Sequence, residues 1–147
     1  MTTFVVDASV AAKWCVPTAG EDFVPAAVQL FESYVNGDID LLVPDLFWAE
    51  MGNVLWKYVR RRKMPRDAAD AGLRKVRALE IRSIPSSSLL QHALDIAITH
   101  DRSFYDSLYI ALAIESSTEF ITADDRLANA LAARFPVKWL GAMLKMW

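Results

Sequence analysis

Five short apolar runs recur along the chain: Phe4-Val5-Val6, Ile39 to Val43, Ile81 to Ile84, Phe120-Ile121-Thr122 and Val137 to Leu140. Each is the length of a buried strand and too short for a helix. Helical patterns separate them. The first runs from about Ser9 to Trp14 and breaks near Pro17. Residues 22–36 form the next and stop at Asn36-Gly37, a C-terminal signal. Pro44-Asp45 opens a long helix to about Lys63, with Phe47, Met51, Val54, Leu55 and Tyr58 on its apolar side. Pro65 starts another, to about Leu79. Ser86 to His100, Phe104 to Glu115, and Asp124 or Asp125 to Arg134 complete the set. Strands alternating with helices predict an α/β domain whose mainly parallel sheet is sandwiched between helices.

The length of 147 residues fits one domain over 1–147, and a hydrophobic fraction of 54% with 11% aromatics supplies ample core. No run approaches the roughly 18 apolar residues of a membrane span. The opening Met-Thr-Thr lacks the basic stretch and cleavage site of a secretory signal, so a cytoplasmic protein is expected. Cys15 is the sole cysteine, which excludes an internal disulfide and a cysteine zinc site; a small buried apolar role is expected. The net charge of −2 hides an asymmetry. Residues 60–82 hold nine of the 16 Lys and Arg but three of the 18 acids, giving +6 there and −8 elsewhere. Such a segment, led by Arg60, Arg61, Arg62 and Lys63, either attracts a polyanion such as RNA or is a solvated helical face.

Topology brings four distant acids to one rim. Parallel strands end on a common edge, and ligands of open α/β folds bind outside it. Asp7 follows the first strand and Asp124 the fourth. The helix after the second strand starts on that edge, with Glu50 in its second turn, bordering the apolar face. The helix before the fourth strand ends at the opposite edge, so it begins on this one, with Asp106 in its first turn. Each acid also has an ordinary structural reading. Ser103 to Asp106 resembles a capping box, Asp124 or Asp125 could be an N-cap, Glu50 could be a helix-edge acid, and Asp7 could serve a turn.

Clustered carboxylates repel and raise one another's pKa, and a divalent cation relieves that cost. Oxygen-only ligands suit Mg²⁺ or Mn²⁺, and the chemistry that follows is phosphodiester hydrolysis. His92 and His100 read as helix-surface or core residues. Neither a Gly-rich phosphate loop nor a nucleophile elbow is present.

With these residues in place, the sequence resembles a PIN domain, specifically the VapC-type toxins of prokaryotic toxin–antitoxin pairs. Phe4-Val5-Val6-Asp7-Ala8-Ser9 resembles the family's opening strand with its metal-binding Asp and nearby Ser. Pro44 to Asn53 resembles the second motif, with Glu50 as its acid and Asn53 three later. Ser103-Phe104-Tyr105-Asp106-Ser107-Leu108-Tyr109 opens the most specific stretch, and Ile121-Thr122-Ala123-Asp124-Asp125 resembles the fourth. The resemblance covers nearly the whole chain. It implies a three-layer α/β/α PIN-like domain with about five parallel strands. It also implies Mg²⁺- or Mn²⁺-dependent endoribonuclease activity, a homodimer, and a small antitoxin that blocks the site. Carried over, Asp7 and Asp106 are metal ligands, Asp124 completes the cluster directly or through water, and Glu50 holds a second metal or orients water. Ser9 and Thr122 support the shell by hydrogen bonds, with Asp125 a less clear match. The C-terminal Ala142 to Trp147 matches no motif; its Met and Trp residues could pack at a dimer or partner surface.

Two other readings stand beside the toxin. One is a PIN-type nuclease of RNA maturation without a paired inhibitor. The other is a non-catalytic, receiver-like phospho-acceptor module. The latter wants two adjacent acids after the first strand and a Lys after the last, whereas Lys138 sits inside its candidate strand.

Overall fold

The computed structural model describes residues 1–15 and 24–145. Its centre is one five-stranded sheet, all parallel, in the order β3-β2-β1-β4-β5. The strands are β1 (Thr2–Val6), β2 (Ile39–Pro44), β3 (Arg82–Ile84), β4 (Glu119–Thr122) and β5 (Val137–Trp139). The central strands lie under helices on both faces, which is why they read as apolar runs rather than alternating ones. Val5, Val6, Leu41, Val43, Phe120 and Ile121 are completely buried.

The helices are α1 (Ala8–Cys15), α2 (Val24–Val35), α3 (Leu46–Arg60), α4 (Arg66–Ala78), α5 (Leu90–His100), α6 (Phe104–Glu115) and α7 (Asp125–Leu131). The chain steps outward from β1 to β2 to β3, then returns to the other side of β1 for β4 and β5. Right-handed crossovers then place α1–α4 on one face and α5–α7 on the other. The packing agrees: α1 meets α2, α3 and α4, whereas α6 meets α5, β1, β2 and β4. The reversal of direction leaves a crevice between β1 and β4 at the carboxyl edge.

Helix ends follow local chemistry. Gly37 (φ 81°) closes α2, with the Asp38 N–H donating to the Ser33 carbonyl at 2.9 Å. α3 stops at Arg60, short of the predicted Lys63, because Arg62 takes φ 57° and the Lys63 N–H donates back to the Tyr58 carbonyl at 2.8 Å. Ser86–Leu89 is a 3-10 turn rather than the first turn of α5. Ser86 instead donates its N–H (3.0 Å) and hydroxyl to the Asp45 carboxylate, which these bonds hold below its ordinary pKa. α7 ends at Leu131, three residues short of Arg134, and β5 stops at Trp139. The predicted break at Pro17 and the first two residues of the 22–36 helix lie outside the described residues.

Met143 is buried in the chain's own core, not displayed at a surface, so the expected partner-facing role of the C-terminal segment fails for it. The segment folds back as a 3-10 run, Leu140–Lys145, against α2. Met146 and Trp147 lie outside the described residues. Cys15 is buried, and α1 meets α4 where Gly72 offers no side chain. A Cβ at Gly72 would sit 2.8 Å from the Cys15 Cβ. Gly72→Ala should therefore lower stability by about 1–3 kcal/mol, measured as a shift in the denaturant midpoint at unchanged m-value.

Candidate active site

β1 and β4 pair Val6 with Ile121, so one step further along the chain Asp7 stands beside Thr122. There the Thr122 hydroxyl donates to Asp7 Oδ2 at 2.7 Å, across the crevice. The Ser9 hydroxyl donates to Asp7 Oδ1 at 2.5 Å, and the Val10 N–H to the same oxygen at 3.3 Å. Ser9 and Thr122 are held in turn. Ser9 Oγ accepts the Ala123 N–H, and Thr122 Oγ1 accepts the Asp124 N–H, each at 3.1 Å. Asp7 is thereby fixed by both strands of the switch point.

Glu50 reaches the same place from α3, and Asp106 from α6. The Tyr109 hydroxyl, one turn after Asp106, donates to Glu50 Oε1 at 2.5 Å and joins the two helical layers over the sheet edge. Its ring stacks on Phe120 of β4, with centroids 5.2 Å apart, which fixes where the hydroxyl points. Asp7, Glu50 and Asp106 all line one cavity of about 470 Å³, with Ser9, Asn53, Lys57, Tyr105 and Tyr109.

The carboxylates are strained electrostatically. Burial pushes Asp7 up to about 6; its hydrogen bonds to Ser9, Thr122 and Val10 oppose that rise, and the charge of Glu50 adds to it. Burial also raises Glu50, with Asp106 adding, and raises Asp106, with Asp124 adding. Each acid thus senses the next. Burial and the neighbouring charge of Glu50 push the Tyr109 phenol far above its ordinary pKa, so it stays a donor.

Asp124 has a second duty. It is the N-cap of α7, its Oδ1 accepting the N–H groups of Arg126 (3.1 Å) and Leu127 (3.2 Å). It is exposed, as is Asp125 at the first helical position. Ser103 caps α6 in a similar way, its Oγ accepting the Asp106 N–H at 3.1 Å, which leaves the Asp106 side chain in the cavity lining. Among the described residues, no three His, Cys, Asp or Glu side chains gather closely enough to hold a metal ion alone. The donor set nonetheless fits a hard cation. It offers oxygens only, its charges are partly buried and mutually repelling, and Mg²⁺ is commonly held by one or two carboxylates plus water and substrate phosphate. Asp7, Glu50 and Asp106 are the residues that could supply those oxygens, with Asp124 near enough to raise Asp106.

The PIN domain family model matches residues 4–131. Ribonuclease VapC3 of Pyrobaculum aerophilum is 31% identical over 133 residues, covering 88% of this chain and 95% of that protein. This chain belongs to the PIN domain family, in its VapC branch. Solved structures of similar fold include a protein of Pyrobaculum aerophilum (TM-score 0.72, 21% identity, 99% of this chain and 88% of that one). Mycobacterium tuberculosis VapC20, described as a toxin that cleaves the sarcin-ricin loop, follows at TM-score 0.62 and 21% identity, with 90% and 95% coverage. VapBC2 of Rickettsia felis, bound to a promoter DNA fragment, has TM-score 0.62 and 9% identity, with 94% and 98% coverage.

Within this PIN domain the remaining predicted residues separate. The basic segment is not one face. Arg66 pairs with Asp70 and Arg82 with Asp40, each at 3.2 Å, while Lys75 donates to the Trp14 carbonyl at 3.0 Å over the Phe31 ring. Arg60 stacks over Trp56, and Arg61, Arg62 and Lys63 are exposed. His92 pairs with Glu115 at 2.9 Å and His100 packs edge-on against Phe135, as surface histidines do. Lys138 pairs with Glu119 at 3.2 Å inside β5, unlike a receiver lysine. Sequence reasoning gave no role to Tyr109, Lys57 or Tyr105. The available signal was spacing: Tyr109 is three residues after Asp106, and Lys57 seven after Glu50.

The raised Asp7 pKa has a definite sign. Folding favours its protonated form, so its contribution is most favourable below the unfolded value and is lost as pH rises to about 6. In metal-free protein, Asp7→Asn should therefore gain stability relative to the parent by about 3 kcal/mol between a pH below the unfolded pKa and mildly alkaline pH. Urea unfolding of both proteins across that range checks it.

Proposed function

We propose that this chain is a divalent-cation-dependent endoribonuclease acting as the toxin of a toxin–antitoxin pair. The observation that carries this reading is the cavity at the β1/β4 switch point, which Asp7, Glu50 and Asp106 line together and where burial raises the pKa of all three. Such a site gains most from a hard dication and a phosphodiester. The ribonuclease name of its VapC3 relative and the toxin description of VapC20 support the same substrate class.

In this reading Asp7 and Asp106 would hold Mg²⁺ or Mn²⁺, Asp124 would complete the cluster directly or through water, and Glu50 would hold a second ion or orient the attacking water. When bound, the cation lowers the pKa of water and offsets charge on the scissile phosphate. Ser9 and Thr122 keep both Asp7 oxygens aimed into the cavity, and Tyr109 does the same for Glu50. Asp125 remains a residue of the outer shell. Arg60, Arg61, Arg62 and Lys63 attract the RNA. The VapBC2 complex supports a small antitoxin as partner. Homodimerisation, a cytoplasmic location and a single domain over 1–147 complete the proposal. No described helix is long and apolar enough to cross a membrane.

Purified protein should cleave RNA in Mg²⁺ or Mn²⁺ and lose that activity in EDTA. Asp7→Asn should reduce the rate more than about a hundredfold, with an unchanged circular dichroism spectrum. Equal cleavage by the variant or in chelator, with contaminating nuclease excluded, would overturn the metal site.

A further inference from the structure

The cavity walls contain two groups that the carboxylate chemistry does not use. Lys57 is the one basic side chain among the described residues that line it. It is exposed, and no ion pair among the described residues ties it to a carboxylate. Tyr105 lines the cavity from α6 and is 61% exposed, so its ring is open to a ligand in the cavity. Its neighbour Asp106 turns a carboxylate into the same space, so the ring stands directly beside the acids.

α3 gives Lys57 a direction. Glu50, Lys57 and Arg61 are spaced seven and four residues apart and so fall on one line along the helix. The α-helical turn persists to Arg61, whose N–H donates to the Lys57 carbonyl at 2.9 Å. Positive charge therefore stands about 10 Å and about 16 Å along the axis from the Glu50 position. A polyanion entering the carboxylate pocket meets repulsion from its acids, and Lys57, the one basic residue of the described lining, offers attraction inside it.

We infer that Lys57 and Tyr105 form a nucleotide clamp, with Lys57 gripping a backbone phosphate beside the scissile bond and Tyr105 stacking on the adjoining base. The ligand class is a single-stranded, unstacked stretch of RNA, since stacking on an exposed ring needs a base free of its own helix. Arg61 extends the same track. Both residues position the substrate and take no part in bond cleavage. This inference rests on the ribonuclease reading.

The test measures binding of a fluorescein-labelled, mixed-sequence single-stranded RNA to Asp7→Asn protein, whose cleavage is suppressed, over a range of salt. Adding Lys57→Gln should weaken binding about fivefold and flatten the salt slope by about 0.7, the value of one phosphate contact on a single strand. Lys57→Arg should restore both. Adding Tyr105→Ala should weaken binding about tenfold at unchanged salt slope, with Tyr105→Phe restoring it. In the active protein both changes should raise KM more than they lower kcat. Arg74→Gln removes an exposed charge from α4, off this line, and should do none of this. The clamp is overturned if affinities and slopes stay at the parental value, or if Arg74→Gln matches Lys57→Gln. It is overturned also if Tyr105→Ala leaves RNA binding intact but dissociates a dimer in light scattering, which would make the ring a subunit contact. Wild-type protein that cleaves RNA while the clamp variants bind normally defeats the clamp alone. Wild-type protein that cleaves no RNA defeats the ribonuclease reading, and the clamp with it.

Discussion

Confinement of like charges at one sheet edge is the constraint on which this molecule's chemistry depends. Asp7 is held by Ser9, Val10 and Thr122, each of which would stabilise the ionised carboxylate, yet burial still lifts its pKa to about 6. The fold thus holds an acid where burial makes its ionised form costlier than in water. Glu50 and Asp106 share that condition. A site strained in this way is relieved by positive charge, and its geometry decides which kind can enter.

The scaffold supplies the rigidity that such strain requires. The apolar strands are covered on both faces, and α6 is buried from Ser107 through Ala113. Tyr109 sits within that buried helix, stacked on Phe120, and carries the one hydroxyl that spans from α6 to Glu50 of α3. A side chain whose ring belongs to the core and whose oxygen belongs to the site couples packing to chemistry.

The two helical layers contribute differently. Asp7 and Asp124 come from strand ends and are fixed by backbone register, while Glu50 and Asp106 come from helices on opposite faces and meet only because both helices start at the carboxyl edge. The capping bonds of Ser103 and Asp124 serve the helix termini and the site together. The Asp124 carboxylate itself caps its helix, whereas the Ser103 bond takes only the Asp106 N–H and leaves that carboxylate to the cavity.

What the sequence alone determined is local. Short apolar runs fixed the strands, 3.6-residue periodicity fixed the helices, and Asn36-Gly37 marked a real helix end through the freedom of Gly37 at positive φ. The strand-end places of Asp7 and Asp124 followed from the connectivity of any parallel sheet. Helix α3 ran past its true end in the sequence reading because Arg62, which carries a side chain, adopts a conformation usually left to glycine. Strand order belongs to the tertiary structure, since reversal between β1 and β4 depends on which distant strands pair. So do the Tyr109–Glu50 bond, the burial of Met143 and the division of the basic segment between ion pairs and open surface. Those outcomes turn on contacts between residues tens of positions apart. Periodicity and capping record only what a residue meets within a turn or two of its own chain.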